Sequence, residues 1–373
     1  MRVLYYSRAL VLPDGGGSHA RGLRDAFGRL GHDVLAIPAG LVVASQVAAT
    51  SRTMPGVLKL AGREIRAHVR HRSASDVVAQ VRQFNPDVAV MRRGSYDLTC
   101  NALVRALRCP IVAEVNAVFA VEGPAWGEQV PSWEAARERA YLLAASRVCC
   151  ISREVADDVA AMGVDTGRTT LVENGVDEAL FSPLTPLDAE VAAWGSTHSL
   201  IVGYTGSIGS LHDVQTLVRA AETVLDIHGN AGFVWVGMTD QQLRQIGSER
   251  VSAASLCLGP VTHQRVPGIL LASDVCWGAF NYGYGSPLKV YEYAALGKPV
   301  AVAADGMPAR VVEDSRGGVV VPQGDAAALG SAVAAMLSDD ERRASLGAAG
   351  LAWVSAGHRW VDVASAMLEG MVK

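Results

Sequence analysis

The stretch from Gly285 to Val300, GSPLKVYEYAALGKPV, carries the most informative chemistry in the chain. Ser286 is a good N-cap, Pro287 suits the first helical position, and Gly297 with Pro299 stops a helix before the apolar run VAVAA. The pattern predicts a glycine loop feeding a helix N-terminus at Pro287 and Leu288. Free backbone N–H groups and the positive end of the helix dipole suit a diphosphate there, and Lys289 adds a full charge in the first turn. Glu292, one turn further on, offers its carboxylate to two ribose hydroxyls. The plain alternative is a capped helix on which Lys289 and Glu292 form a solvated i,i+3 pair.

Smaller groups of polar residues stand at the ends of apolar runs. Gly15, Gly16 and Gly17 precede Ser18 and His19 after the first such run, and glycines there let the backbone approach a ligand closely. They do not make a dinucleotide fingerprint, because no third glycine completes G-x-G-x-x-G and no acidic residue closes the second strand. Arg92 and Arg93 end one run and Glu114, Val115 and Asn116 another, so at least one arginine is expected to point into a binding cleft. Trp126 and Trp133 follow Glu114, either lining a pocket or packing its loop. Arg63, Arg66 and Arg70 share a helical face, which is read as solvated or as a peripheral contact with anionic lipid. There is no G-x-S-x-G nucleophile elbow, and no D-x-D triplet that would hold a divalent ion, so no metal is expected.

These residues need elements to position them. The runs RVLYYS, DVLAIP, DVAVM, IVAEV and RVCCIS alternate with segments of helical period, the signature of a parallel sheet covered on both faces. A second series starts at residue 200 with LIVGYTGS and continues through AGFVWVG, ASLCLGP, SDVCWGAF and KPVAVAA. Between the two, Pro183 and Pro186 argue for a linker near residues 178–198. The expected architecture is α/β, with two Rossmann-like, doubly wound domains facing a central cleft and ligand loops at the carboxyl ends of the strands.

Composition sets the outer bounds. A chain of 373 residues is long enough for two domains, and 50% apolar with 19% charged residues excludes disorder. A formal charge of −4 lacks the cationic surplus of a nucleic-acid binder. Six cysteines without C-x-x-C spacing read as reduced core thiols, and the start of the chain shows no signal-peptide pattern, so a cytoplasmic location is expected.

The GSPLKVYEYAALGKPVAV stretch resembles the donor motif of glycosyltransferase family 4, retaining enzymes of the GT-B fold. Within that family it is closest to a subset with S-P-x-K-x-x-E-Y and an uncharged glycine loop. Other segments fall in family order: the Gly15–Gly17 loop, Asn174-Gly175-Val176-Asp177 with Phe181, and a final helix that returns to the first domain. The resemblance implies an N-terminal acceptor-side domain over 1–180, joined by a helix at about 358–373, and a donor domain over 198–357. It also implies metal-independent, retaining transfer of a sugar from a nucleotide-diphosphate donor, of UDP or GDP type, to a glycan, lipid-linked or small-molecule acceptor. No cofactor is expected beyond this co-substrate.

The carry-over to residues is uneven. Glu292 matches the family's second motif glutamate, which binds the ribose. The first, which contacts the donor hexose, is replaced here by Tyr284. Ser207 stands where the family commonly has an Arg, and Leu211-His212-Asp213 spans the position of its Lys, so Lys289 and His212 are expected to serve the diphosphate beside Gly16, Gly17, Gly206, Ser207, Ser286, Pro287 and Leu288. His19, Arg92, Asn116 and Tyr284 are acceptor or sugar candidates, and Glu114, at a strand end, is a candidate either for catalysis or for orienting Asn116 or binding acceptor. A GT-B epimerase or a catalytically silent sugar-nucleotide-binding subunit are the alternative readings.

Overall fold

The computed structural model describes residues 1–12, 15–38, 74–126, 129–206, 208–209 and 211–371, without the side chains of Ala125 and Trp126. The chain divides into two compact units. Unit 1 comprises Met1–Glu173 with Trp360–Lys373, and unit 2 comprises Asn174–Arg359.

Unit 1 holds β1 (Arg2–Ser7), β2 (Asp33–Ile37), β3 (Val88–Arg92), β4 (Ile111–Val115), β5 (Arg147–Cys150) and β6 (Thr169–Leu171) in the order β2-β1-β3-β4-β5-β6. Every pairing is parallel, and Ser7 lies beside Arg92 in the register of β1 and β3. The order reverses between β1 and β3. The carboxyl ends of the strands diverge at such a switch point and leave room for ligands.

Unit 2 repeats the plan with β7 (Leu200–Thr205), β8 (Ala231–Val236), β9 (Ser255–Gly259), β10 (Val275–Ala279), β11 (Val300–Ala303) and β12 (Gly318–Val321), ordered β12-β11-β10-β7-β8-β9. Its switch point lies between β7 and β10. The strands β8 and β10 are buried along their whole length, which is why they read as unbroken apolar runs. Phe233, Trp235 and Trp277 pack on one another at 5.5–6.2 Å between ring centroids and fill one side of the sheet.

The proline segment is not a free linker. Residues from Asn174 onward belong to unit 2: Val176 pairs with Arg359, Phe181 is buried in the core, and Arg265 grips Asp188 at 2.6 and 3.0 Å. The division therefore falls at 173/174, ahead of the expected 178–198. The final helix, Trp360–Leu368, packs on helix Gly15–Arg29 of unit 1. A side chain at Gly22 would run into the Trp360 indole, so glycine there admits the returning helix.

Gly15, Gly16 and Gly17 form the first turn of helix Gly15–Arg29 rather than the expected loop. A Cβ at Gly17 would collide with the carbonyl of Leu12, so the glycine serves close packing of helix against the preceding turn. Among the described residues no helix is long and apolar enough to cross a membrane. All six cysteines are unbridged. The Arg63, Arg66 and Arg70 face, Ser207 and the Trp126 side chain lie outside the described residues.

Candidate functional site

Each unit gathers its polar side chains at its own switch point. In unit 2, β7 ends at Thr205 and Gly206, β10 runs into Phe280, and the loop 281–287 leads to the helix Leu288–Ala295. That helix starts one residue later than expected. Pro287 is its N-cap and supplies no side-chain acceptor, while the Ser286 hydroxyl pairs with Tyr291 at 2.9 Å. No side chain therefore caps the first-turn amides that Ser286 was expected to cap. Asn174 Nδ2 donates to the Ser286 carbonyl at 2.9 Å, tying the start of unit 2 to this loop.

Lys289 is 7% exposed, which overturns the solvated pair with Glu292. Its Nζ lies 3.3 Å from the Tyr204 hydroxyl, 4.4 Å from the centroid of the same ring and 5.5 Å from that of Phe280. Burial, opposed by the charge of Glu292, lowers the amine to about 7. Gly206 makes the room: at φ +154°, a Cβ there would sit 2.5 Å from Nζ and 2.6 Å from the Tyr204 hydroxyl. Phe280, Tyr282 and Tyr284 follow as a ladder of rings spaced 5.6 Å apart, so Tyr284 continues an aromatic wall where the family has a carboxylate.

His212 is not the second cation. Burial, with the Lys289 charge behind it, lowers its pKa to about 3. It sits edge-on to Phe280 with Nδ1 buried and unpartnered, as a neutral ring with one hydrogen-bonding atom to spare. Glu292 meets His263, whose Nε2 lies 2.9 Å from Oε1; His263 is 29 residues away and was not identifiable from sequence.

In unit 1, the ends of β1, β3 and β4 bring Tyr5, Arg92 and Glu114 together, and helix Gly15–Arg29 adds His19. Glu114 is buried. His19 Nε2 donates to its Oε1 at 2.6 Å, the Tyr5 hydroxyl donates to Oε2 at 3.1 Å, and Arg92 Nε stands 3.7 Å from Oε1. Burial pushes the carboxyl up, and His19, Arg92 and Tyr5 together bring it below its ordinary range. The result is an ionised, fully engaged carboxylate that orients its neighbours. Trp360 meets His19 edge-on at 4.7 Å, so the returning helix fixes the imidazole from its other side.

Arg93 pairs with Glu134 at 2.6 Å, and Arg92, Arg93 and Asn116 line a pocket of about 140 Å³. Trp133 is 39% exposed and packs on Tyr96 rather than lining that pocket. Besides His263, Tyr5 and Tyr204 are site residues that sequence reasoning missed. Both read as ordinary strand interior, and only their hydroxyls' partners mark them. Among the described residues no group of His, Cys, Asp and Glu could hold a metal ion.

Comparison with known proteins agrees unit by unit. Residues 13–180 match the family model described as Glycosyltransferase Family 4, and residues 199–339 match Glycosyl transferases group 1. Both halves of the chain thus match glycosyltransferase models, the first half that of family 4.

A D-inositol 3-phosphate glycosyltransferase of Xylanimonas cellulosilytica is 30% identical over 247 residues, or 62% of this chain. One of the same name from Mycobacteroides abscessus is 26% identical over 66% of it. The chain spans 58% of the length of each of these relatives. Among solved structures, a sucrose-phosphate synthase from Thermosynechococcus elongatus superposes with a TM-score of 0.73 at 19% identity, covering 98% of this chain and 97% of that one. Anabaena HepE in complex with UDP-glucose gives 0.67 at 16% identity over 99% and 98%. These neighbours establish the two-domain, Rossmann-like GT-B fold of this chain.

Proposed function

We propose that the chain moves a sugar from a nucleoside diphosphate donor to an acceptor hydroxyl, with retention at the anomeric carbon and without a metal ion. The observation that carries this reading is the Lys289 ammonium, buried on Tyr204 beside Gly206 in the first turn of an uncapped helix. An ammonium and free backbone amides in an apolar setting are what a departing diphosphate needs as its negative charge grows. In the transfer, the bond from the anomeric carbon to the diphosphate oxygen breaks, the acceptor oxygen takes its place, and the diphosphate leaves carrying the proton that the acceptor hydroxyl gives up.

Lys289 and the first-turn amides contact the diphosphate, Gly206 gives it close approach, and Glu292 accepts from the ribose hydroxyls while His263 holds it in place. His212 supplies a neutral hydrogen bond. Glu114 orients His19 and Arg92 on the acceptor side, which is a positioning role. The uridine complexes of HepE make UDP the first nucleotide to test. The name of the curated relatives directs attention to phosphorylated acceptors, and no observation favours an epimerase.

The test is calorimetric titration of UDP, GDP, ADP, dTDP and CDP, with magnesium or with EDTA, into wild type and Glu292→Ala. One diphosphate binding in EDTA and weakening tenfold or more in the variant is the expected result. If no diphosphate binds, the transferase reading falls. The anomeric configuration of the product, read by proton NMR once a donor is found, tests retention.

A further inference from the structure

The pocket of unit 1 has an unusual hydrogen-bond balance. Its walls are Arg92, Arg93, Glu114, Asn116, Glu138 and Tyr141, closed by apolar Val115, Ala117, Phe119 and Leu142. Nearly every acceptor among them is already engaged. Glu114 uses Oε1 for His19 and Oε2 for Tyr5. Glu138 takes the backbone N–H groups of Phe119 and Ala120 at 2.9 and 3.1 Å, one on each oxygen. The Tyr141 hydroxyl donates to the Met91 carbonyl.

The donors are not used up. Arg92 Nη1 and Arg93 Nε and Nη1 are buried without a hydrogen-bond partner, and Arg93 is only 6% exposed. Buried N–H groups left unpaired cost free energy, more so when they are charged. Arg93 spends only Nη2, on Glu134. Arg92 has Glu114 no nearer than 3.7 Å, and that carboxylate already serves two other donors. Apart from the Asn116 amide, the side-chain capacity left in the pocket is therefore N–H donors on two guanidiniums.

We infer that this pocket receives an oxyanion, the phosphate or carboxylate group of an acceptor, held by Arg92 and Arg93. The word acceptor rests on the transferase reading above; the oxyanion site does not. An oxyanion brings only acceptors, in the planar spread that guanidinium forks match. A neutral hydroxyl would bring a single acceptor oxygen to three unpartnered guanidinium nitrogens. A pocket of about 140 Å³ is large enough for such a group and shuts the rest of a polysaccharide outside. The charge of Glu114 is offset by Arg92 and His19, and Glu138 is occupied by two backbone N–H groups.

The experiment is titration of inorganic phosphate, and separately of acetate, into the full chain carrying Lys289→Met, which removes the unit 2 cation that would also bind phosphate. One equivalent of at least one ion should bind, and adding Arg92→Gln should weaken it tenfold or more. Arg92→Lys, which keeps the charge and the packing but loses the fork, should fall between. Phosphate alone assigns the site to phosphorylated acceptors, and acetate alone to carboxylates. Binding of neither ion, or binding indifferent to both Arg92 variants, overturns the inference. A parallel titration of UDP into wild type separates the two claims: ion binding that depends on Arg92 without nucleotide binding would sink the transferase reading alone.

Discussion

The two units share a sheet order and treat their central charges in opposite ways. In unit 1 the buried carboxylate of Glu114 has three partners and stays ionised. In unit 2 the buried ammonium of Lys289 has a phenol and two aromatic faces, and its pKa falls to about 7. A charge surrounded by partners holds geometry, whereas one left with aromatic neighbours is held ready for a ligand of opposite sign. The same fold edge thus anchors its central carboxylate in one unit and leaves its central ammonium without a charged partner in contact in the other.

The strongest way to break this comparison is Glu114→Ala. It strands Arg92, His19 and Tyr5 around an empty, buried position, and unit 1 should lose about 3–5 kcal/mol on urea unfolding while nucleotide binding by unit 2 persists. A loss below about 1 kcal/mol would show that the cluster is not a support. Gly206→Ala puts a Cβ where Nζ and the Tyr204 hydroxyl now sit; nucleoside diphosphate affinity should drop about tenfold or more by calorimetry, the equivalent of roughly 1–3 kcal/mol of strain.

Lys289→Met sharpens the contrast by separating stability from function. Its amine binds fewer protons in the folded than in the unfolded chain between about pH 7 and its ordinary value of 10.5, so its stability penalty is largest below pH 7 and eases as pH rises. The variant should therefore melt a few degrees higher than wild type at pH 6, with the gap closing by pH 10, and should bind no diphosphate. Diphosphate binding to wild type at pH 8 should also take up protons, visible as a dependence of the calorimetric heat on buffer ionisation enthalpy. The smallest effect is expected from His263→Ala. Its partly exposed pair with Glu292 should change donor affinity by no more than about fivefold, the equivalent of roughly 1 kcal/mol.

Much of this was legible along the chain. Apolar runs of four to six residues marked most of the strands of both units because parallel strands are buried on both faces. The helix after Ser286 announced itself through Pro287 at its start and Gly297 at its end. Local signals failed where packing outvoted them. Gly15–Gly17 read as a loop, yet those residues are helical, and Gly17 lacks a side chain because the Leu12 carbonyl occupies its space. Pro183 and Pro186 read as a linker, yet the Asp188 and Arg265 ion pair and Phe181 build that segment into unit 2.

What the sequence determined by itself was most of the strands and their order, since these rest on short-range period and punctuation. The tertiary structure alone decided which charges are partnered. His19 and Glu114 are 95 residues apart, and Tyr204 and Lys289 are 85 apart. Only the strand order that places β1 next to β3 and β7 next to β10 brings such residues to one edge. Burial at that edge, which no local window encodes, then determines whether an imidazole, an amine or a carboxyl carries its charge.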